Sequence, residues 1–180
     1  MTSDIRLARL RSRQGMTLIE LCIVLIILGI LLVVAVASLM RARVVANESS
    51  ATAMLRTITK AQLAFYAECG RGFYAVSLTQ LGSPRPGRSI SYLAEDIGLV
   101  DNPQRNGYRF SVRAGAEATA GFTDCGGGAT KSMYYASAVP LALGRTGDRS
   151  FATSQSNAIW GIAGVVPPSE PFRAPAQLVH

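Results

Sequence analysis

The feature that most constrains this chain is an uncharged, apolar run over residues 21–40. As an α-helix with a rise of about 1.5 Å per residue, a run of this length measures about 30 Å, the thickness of the apolar part of a bilayer. The run therefore predicts a membrane-spanning helix. The 180-residue chain leaves room for one modest core beside this helix.

Basic residues flank the run on both sides. Before it stand Arg6, Arg9, Arg11 and Arg13, and after it stand Arg41 and Arg43. The positive-inside rule then places the N-terminus in the cytoplasm and predicts export of the remainder. A secretory signal peptide does not fit, because its apolar region is about 7–15 residues long and ends at a cleavage site of small residues. A plain membrane anchor fits better but leaves Glu20 unexplained, since acidic side chains in apolar segments are disfavoured and usually functional.

The basic charge is concentrated at the N-terminus. The chain has a net charge of +7, and residues 1–15 contribute four arginines and one aspartate. The rest therefore carries only +4, which is weak evidence for a nucleic-acid partner. The only histidine is His180, so Ser-His, Cys-His and histidine-metal chemistries have no support. The sequence predicts no enzyme activity and no cofactor.

The residues around Glu20 carry a family resemblance. The stretch GMTLIEL over residues 15–21 resembles the processing motif of type IV prepilins, in which a basic leader ends in glycine and a glutamate opens the apolar run. The resemblance implies cleavage between Gly15 and Met16 by a prepilin peptidase, and N-methylation of Met16 by the same enzyme. Two residues depart from the common pattern: Met16 stands where phenylalanine is frequent, and Ala37 stands where many members have a helix-breaking proline.

Glu20 also has a physical role under this resemblance. Cleavage leaves a charged amine on Met16, and that amine enters an apolar core when many such helices pack into a filament. An unpaired buried charge is costly, whereas a paired one is tolerated. The glutamate of a neighbouring subunit supplies the partner and fixes the axial register. The alternative is a glutamate that lies in the headgroup zone with no role in assembly.

The remainder of the chain predicts an α+β fold, a long N-terminal helix packed on a small antiparallel sheet of three to four strands. The helix extends to about Cys69, and its inward face carries residues spaced four and three apart, which are Ala51, Leu55, Ile58, Gln62 and Phe65. Ser77 has capping-box spacing to Gln80, which predicts a short helix ending near Gly82. Strands are predicted after the turn at Asn106-Gly107 and at residues 132–139, 150–154 and 157–162.

The domain organisation follows from these elements. We expect a cleaved leader at residues 1–15, a transmembrane and filament-core helix at 16–40, and its exposed amphipathic half at 41–69. A globular α+β head follows at 70–165. The proline-rich segment at 166–180 is predicted to be a loose tail.

Several possible sites lie in the head. Cys69 and Cys125 can form a disulfide if the head is exported, although two distant free thiols fit the sequence as well. The segment CGGGATKS lacks the glycine that a phosphate-binding loop has directly before its lysine, so it predicts a flexible turn. The aspartate-poor segment at residues 146–160 gives little support for calcium, and we predict no metal site.

A basic aromatic face could bind DNA through Arg85, Arg88, Arg105, Arg109, Arg113, Tyr92 and Tyr108. Ordinary solvent-exposed residues of strands and loops account equally well for these arginines and tyrosines.

These observations favour a structural subunit of a type IV pilus-like filament, used for surface adhesion, motility or DNA uptake. The expected partners are other subunits of a homo- or hetero-oligomeric helical filament, the prepilin peptidase and the inner-membrane assembly machinery. The expected location is the inner membrane and then a pilus at the cell surface. Two alternatives remain: a pseudopilin of a type II secretion system, in a periplasmic pseudopilus, and a minor pilin whose head binds DNA or a surface.

Overall fold

A computed structural model describes residues 16–84, 87 and 89–179. Helix α1 (Leu18–Glu68) continues without interruption through residue 37, where the common proline is missing. The contacts divide the chain into two compact units, Met1–Leu39 and Met40–His180. The basic leader at residues 1–15 lies outside the described residues.

In the first unit, the described apolar part of α1 is open to its surroundings. Every side chain from residue 16 to residue 33 is exposed, with Leu18 at 81% and Val33 at 73%. The helix is long and apolar enough to cross a membrane. A surface this apolar requires lipid or neighbouring helices around it.

The second unit is an α+β head built on two antiparallel sheets. After α1 come strand β1 (Tyr74–Ala75) and the short helices α2 (Leu78–Leu81) and α3 (Glu95–Gly98). The remaining strands are β2 (Gln104–Arg105), β3 (Tyr108–Ala114), β4 (Thr130–Lys131), β5 (Tyr134–Pro140), β6 (Arg149–Ser154), β7 (Ile159–Ala163) and β8 (Gln177–Val179). The main sheet has six strands in the order β2-β3-β5-β6-β7-β8, and β1 pairs with β4 in a separate small sheet.

The core of the head lies between the amphipathic half of α1 and the inner face of the sheet. The predicted helix face is buried: Ala51, Leu55, Ile58, Gln62 and Phe65 are all at most 1% exposed. Against it pack the inward side chains of β3, β5, β6 and β7, which include Tyr108, Phe110, Tyr134, Ala136, Ala138, Phe151 and Ile159. Burial of this apolar surface stabilises the head.

The predicted fold class is confirmed, with one difference in the strand count. The four predicted strands correspond to β3, β5, β6 and β7. The prediction of three to four strands is too low, because β2 and β8 extend the sheet at its two edges. These edge strands contain two and three residues, which is too short for an alternating pattern to show. The short helix after Ser77 is also confirmed, with Ser77 Oγ accepting a hydrogen bond from Gln80 N.

The C-terminal segment is packed, so the prediction of a loose tail is wrong. The ring of Phe172 stacks on Trp160 and on Tyr135, with centroid distances of 5.8 Å and 6.2 Å. Tyr135 points away from the core, yet it is only 2% exposed, and its hydroxyl donates to the carbonyl of Pro168. Strand β8 then pairs with β7. The high proline content suggested a loose tail, but prolines also occur in ordered segments beside a sheet edge.

Gln62 joins α1 to strand β1 inside the core. Its side chain is fully buried, and its amide donates to Ala75 O at 2.9 Å and accepts from Ala75 N at 3.0 Å. The side chain thereby satisfies both backbone polar groups of one buried residue. Without this pairing, those groups would be buried with no partner.

The variant Gln62→Leu is therefore expected to destabilise the head. Leucine replaces the polar amide with an apolar side chain of similar size, so both Ala75 groups lose their partner, at a cost of about 2–4 kcal/mol. Chemical unfolding of the full chain in detergent would measure the loss. The matched control is Arg56→Leu at an exposed position of the same helix, and it is expected to change stability by less than about 0.5 kcal/mol. Equal stability of the two variants would contradict the assigned role.

Glu48 makes a second polar connection between α1 and the sheet. Its Oε2 accepts from Nε and Nη2 of Arg149 at 2.9 Å and 2.7 Å. Its Oε1 accepts from the backbone N–H groups of Asp148 and Arg149. Glu48 is 9% exposed, so it lies on the buried face of the helix. Its four hydrogen bonds offset the cost of burying the charge.

Burial of tyrosines makes the head sensitive to alkaline pH. Burial raises the pKa of Tyr134 to about 12, and it also raises the pKa of Tyr108 and Tyr135. The folded state holds these protons more tightly than the unfolded state. The contribution of these tyrosines to stability is therefore fully present below pH 10 and is lost as pH rises toward 12. Tyr134→Phe is expected to reduce that alkaline loss, by up to about 2–3 kcal/mol. Unfolding curves at pH 8 and at rising alkaline pH would show whether the variant and the wild type diverge.

Candidate functional site

The N-terminal segment presents its motif residues at the start of α1. Thr17 caps the helix: its Oγ1 accepts from Glu20 N at 3.3 Å, and its carbonyl accepts from Leu21 N at 3.1 Å. Met16, Leu18 and Ile19 are 61–81% exposed. Gly15 lies outside the described residues.

Glu20 lies in the first turn of α1, where a negative charge is favoured by the helix dipole. It is the only acidic residue from Met16 to Asn47. Its side chain is exposed in the single subunit, and it is therefore available to a partner charge. The sequence Thr17-x-x-Glu20 has capping-box spacing, and this signal could have identified Thr17 as the cap from the sequence alone.

Cys69 and Cys125 form a disulfide in the structure, with their Cα atoms 5.0 Å apart. The bond joins the residue after α1 to the loop before β4, 56 residues further along the chain. The backbone N–H of Cys125 also donates to the carbonyl of Cys69 at 3.2 Å. Cys22 is a free, exposed thiol in the apolar part of α1.

The glycine-rich segment after Cys125 is a turn organised by Asp124. The Oδ1 atom of Asp124 accepts from the N–H groups of Gly126 and Gly128 at 2.8 Å and 2.7 Å. The Gln80 amide donates to the other carboxylate oxygen. Since these backbone donors already bind a carboxylate, they are not free to bind a phosphate, and the structure agrees with the prediction of a turn.

The structure does not assemble the basic aromatic face. Tyr92 and Tyr108 are buried, at 8% and 0% exposure, so neither ring can stack on a base, and that part of the interpretation is wrong. Arg105 pairs with Asp96, and the guanidinium of Arg113 lies 4.1 Å from the ring centroid of Tyr135. Arg109 is exposed. Arg85 and Arg88 lie outside the described residues.

The segment considered for calcium serves the fold. Within residues 16–84, 87 and 89–179, no three His, Cys, Asp or Glu side chains are grouped closely enough to hold a metal ion. The backbone N–H of Asp148 donates to Glu48, and Ser150 Oγ donates to the carbonyl of Gly164. These contacts connect the segment to α1 and to the residue after β7.

Comparison with known families agrees with the N-terminal geometry. Residues 10–36 match the family model described as the prokaryotic N-terminal methylation motif. This motif is the class III leader found in the type IV pilin and pseudopilin family. The match contains Gly15, Met16 and Glu20 and continues into the exposed apolar part of α1. No curated protein and no solved structure matches the chain.

The match and the apolar helix together indicate anchoring in the inner membrane with an exported head. They also indicate processing by the peptidase and assembly into a filament of the pilus type. A structural role is typical of chains with this motif. Sequence reasoning missed Glu48 and the pairing made by Gln62, because each depends on a polar contact whose partner is set by the fold. It also missed Thr17, although the local capping-box spacing to Glu20 was a signal for it.

Proposed function

We propose that this chain is a structural subunit of a type IV pilus-like filament. The observation that carries the proposal is the methylation motif at residues 10–36, directly continuous with an apolar helix whose side chains are exposed from residue 16 to residue 33. Such a helix needs lipid before assembly and neighbouring helices after it. A filament whose core is a bundle of these helices meets both needs.

The first step of the proposed mechanism is processing. The peptidase cleaves between Gly15 and Met16 and methylates the amine of Met16. Because glycine has no side chain, the scissile backbone can lie close to the enzyme. The exposure of Met16 supports access from that side. Removal of residues 1–15 also removes four arginines. These arginines hold the N-terminus on the cytoplasmic side, so their loss allows this end of the helix to enter an apolar filament core.

The second step is docking of the processed subunit. The amine of Met16 enters the apolar filament core and pairs with Glu20 of a subunit already in place. Both groups belong to the same exposed end of α1, and Thr17 holds the first turn of the helix in place. A docking register that leaves the two charges apart is disfavoured, because both would then be buried without a partner.

A surface pilus is favoured over a periplasmic pseudopilus of a type II secretion system. Type II pseudopilins often carry an aspartate-rich calcium loop near the C-terminus, and the corresponding segment here has one aspartate, Asp148. The disulfide between Cys69 and Cys125 fits either location, because the periplasm and the cell exterior are both oxidising. A head that binds DNA loses support from the burial of Tyr92 and Tyr108.

Shearing of intact cells tests the proposed location. Under the pilus proposal, the processed chain appears in the sheared surface fraction within filaments visible by electron microscopy. A strain that lacks the chain should lose these filaments and regain them on complementation. Recovery of the chain only from the periplasm and inner membrane, together with a defect in protein secretion, would support the pseudopilin alternative.

A further inference from the structure

A small basic cavity lies at the end of the head where the chain leaves the apolar run. Its volume is about 250 Å³, and it is lined by Met40, Arg43, Ala142, Arg145 and Thr146. Met40 is the last residue of the uncharged run, and Arg43 follows three residues later. If α1 spans the bilayer, this position is at the level of the lipid headgroups, where the long side chain of arginine can reach the interface.

The two arginines of the cavity have no acidic partner in the described part of the chain. Two ion pairs of this part join Arg105 to Asp96 and Arg149 to Glu48, and neither contains Arg43 or Arg145. Both guanidinium groups come from exposed residues. Two unpaired guanidinium groups beside one cavity present several N–H donors to an anion, and their planar geometry suits phosphate.

The loop that carries Arg145 is held firmly on α1. Asn47 Nδ2 donates to Thr146 O at 3.0 Å, and within the loop Ala142 N donates to Thr146 Oγ1 at 3.0 Å. Thr146 N donates back to Ala142 O at 2.9 Å. The next residues of the chain are fixed by Glu48. Arg145 is therefore held beside Arg43 by a loop whose conformation is fixed by these hydrogen bonds.

Apolar side chains surround the same loop and are exposed. Leu141 is 42% exposed and Leu143 is 54% exposed, and Met40 in the cavity wall is 48% exposed. Exposed apolar side chains gain free energy when they leave water for acyl chains. The same combination suits the membrane interface, where apolar groups reach the acyl chains and basic groups meet the phosphates.

We propose that this cavity binds the phosphate of an anionic phospholipid in the leaflet from which the head emerges. The proposal rests on the membrane insertion that is part of the proposed function. The bound lipid would hold the base of the head against the membrane before assembly. Its phosphate has to leave Arg43 and Arg145 when the subunit moves from the bilayer into a filament, so release of this lipid is a step of extraction.

The test uses the full chain in a non-ionic detergent, with phosphatidylglycerol and phosphatidylcholine as probes and native mass spectrometry as the readout. The wild type should retain phosphatidylglycerol in preference to phosphatidylcholine. The double variant Arg43→Gln with Arg145→Gln should bind phosphatidylglycerol at least about tenfold more weakly, from the loss of two basic residues near the phosphate. The matched control is Arg109→Gln with Arg173→Gln, which removes the same charge at two exposed positions and should change the affinity less than about twofold.

Other outcomes overturn the proposal. An equal loss in both double variants would show general charge attraction and no site. Inorganic phosphate that displaces phosphatidylglycerol at a similar concentration would show a site for the free ion and not for the lipid. Flotation with phosphatidylcholine vesicles separates this test from the proposed function. If the wild type fails to float, the proposed membrane insertion is wrong. If it floats but shows no preference for phosphatidylglycerol, only the proposed lipid site in the cavity is wrong.

Discussion

Replacing Glu20 with alanine is expected to abolish filaments while leaving the subunit inserted and processed. Insertion should be as good or better, because the change removes a charge from the edge of an apolar segment. Cleavage should persist, since Gly15 and the basic leader are intact. Docking should fail, because the Met16 amine would enter the filament core with no partner. Loss of one member of a buried ion pair is large enough to weaken a reversible docking step about a hundredfold or more.

Two further variants separate the charge of Glu20 from its place in the helix. Glu20→Gln keeps the size and hydrogen-bonding capacity of the side chain without its charge, so it should also fail. Thr17→Ala removes the helix cap seen in the structure but keeps the charge, and it should reduce filament numbers only modestly. Immunoblots of membrane and sheared fractions, with electron microscopy, give the readout. Normal filaments assembled from Glu20→Ala subunits alone would contradict the charge-pairing mechanism.

Removing the disulfide is expected to produce the largest loss of stability in the head. The double variant Cys69→Ala with Cys125→Ala opens a connection across 56 residues, which the chain-entropy model values at about 4 kcal/mol, and measured losses are often smaller. The loop with Asp124 should loosen as well, because Cys125 N also donates to Cys69 O. Chemical unfolding of the exported chain, with and without reductant, would measure the effect.

The matched control for this experiment is Cys22→Ala. Cys22 is the free thiol in the apolar part of α1, outside the head, so the unfolding of the head should not respond to its loss. A disulfide map of the natively exported chain gives an independent check. Free thiols at both Cys69 and Cys125 in that map, or equal stability with and without reductant, would rule out the stabilising bond.

The sequence predicted the larger helices and strands of the fold, because these elements have strong periodic signals. The apolar stripe of α1 repeats every three to four residues over several turns, and the structure buries it from Ala51 to Phe65. Strand β3 alternates apolar and polar residues, and the turn at Asn106-Gly107 matches two positive φ angles, 48° and 74°. These local signals are sufficient to identify elements and to place them against a core.

What the sequence did not predict depends on tertiary contacts. Strands β1 and β4 have two residues each, and β1 is held by the side chain of Gln62, which looked like an ordinary member of a helix face. Glutamate is usually a surface residue, but Glu48 forms an ion pair with Arg149, which lies 101 positions further along the chain. The C-terminal segment is ordered by Phe172 on Trp160 and Tyr135. In each case the partner is brought close only by the completed fold.

Mass spectrometry of the mature N-terminus would show whether this chain is a processed filament subunit. Removal of residues 1–15 from the 180-residue chain leaves 165 residues. In cells that make the peptidase, we expect a mature chain that begins at N-methylated Met16. Gly15→Val should block this cleavage and leave the arginine-rich leader attached. A wild-type chain that retains residues 1–15 in such cells would show that the chain is not a processed subunit.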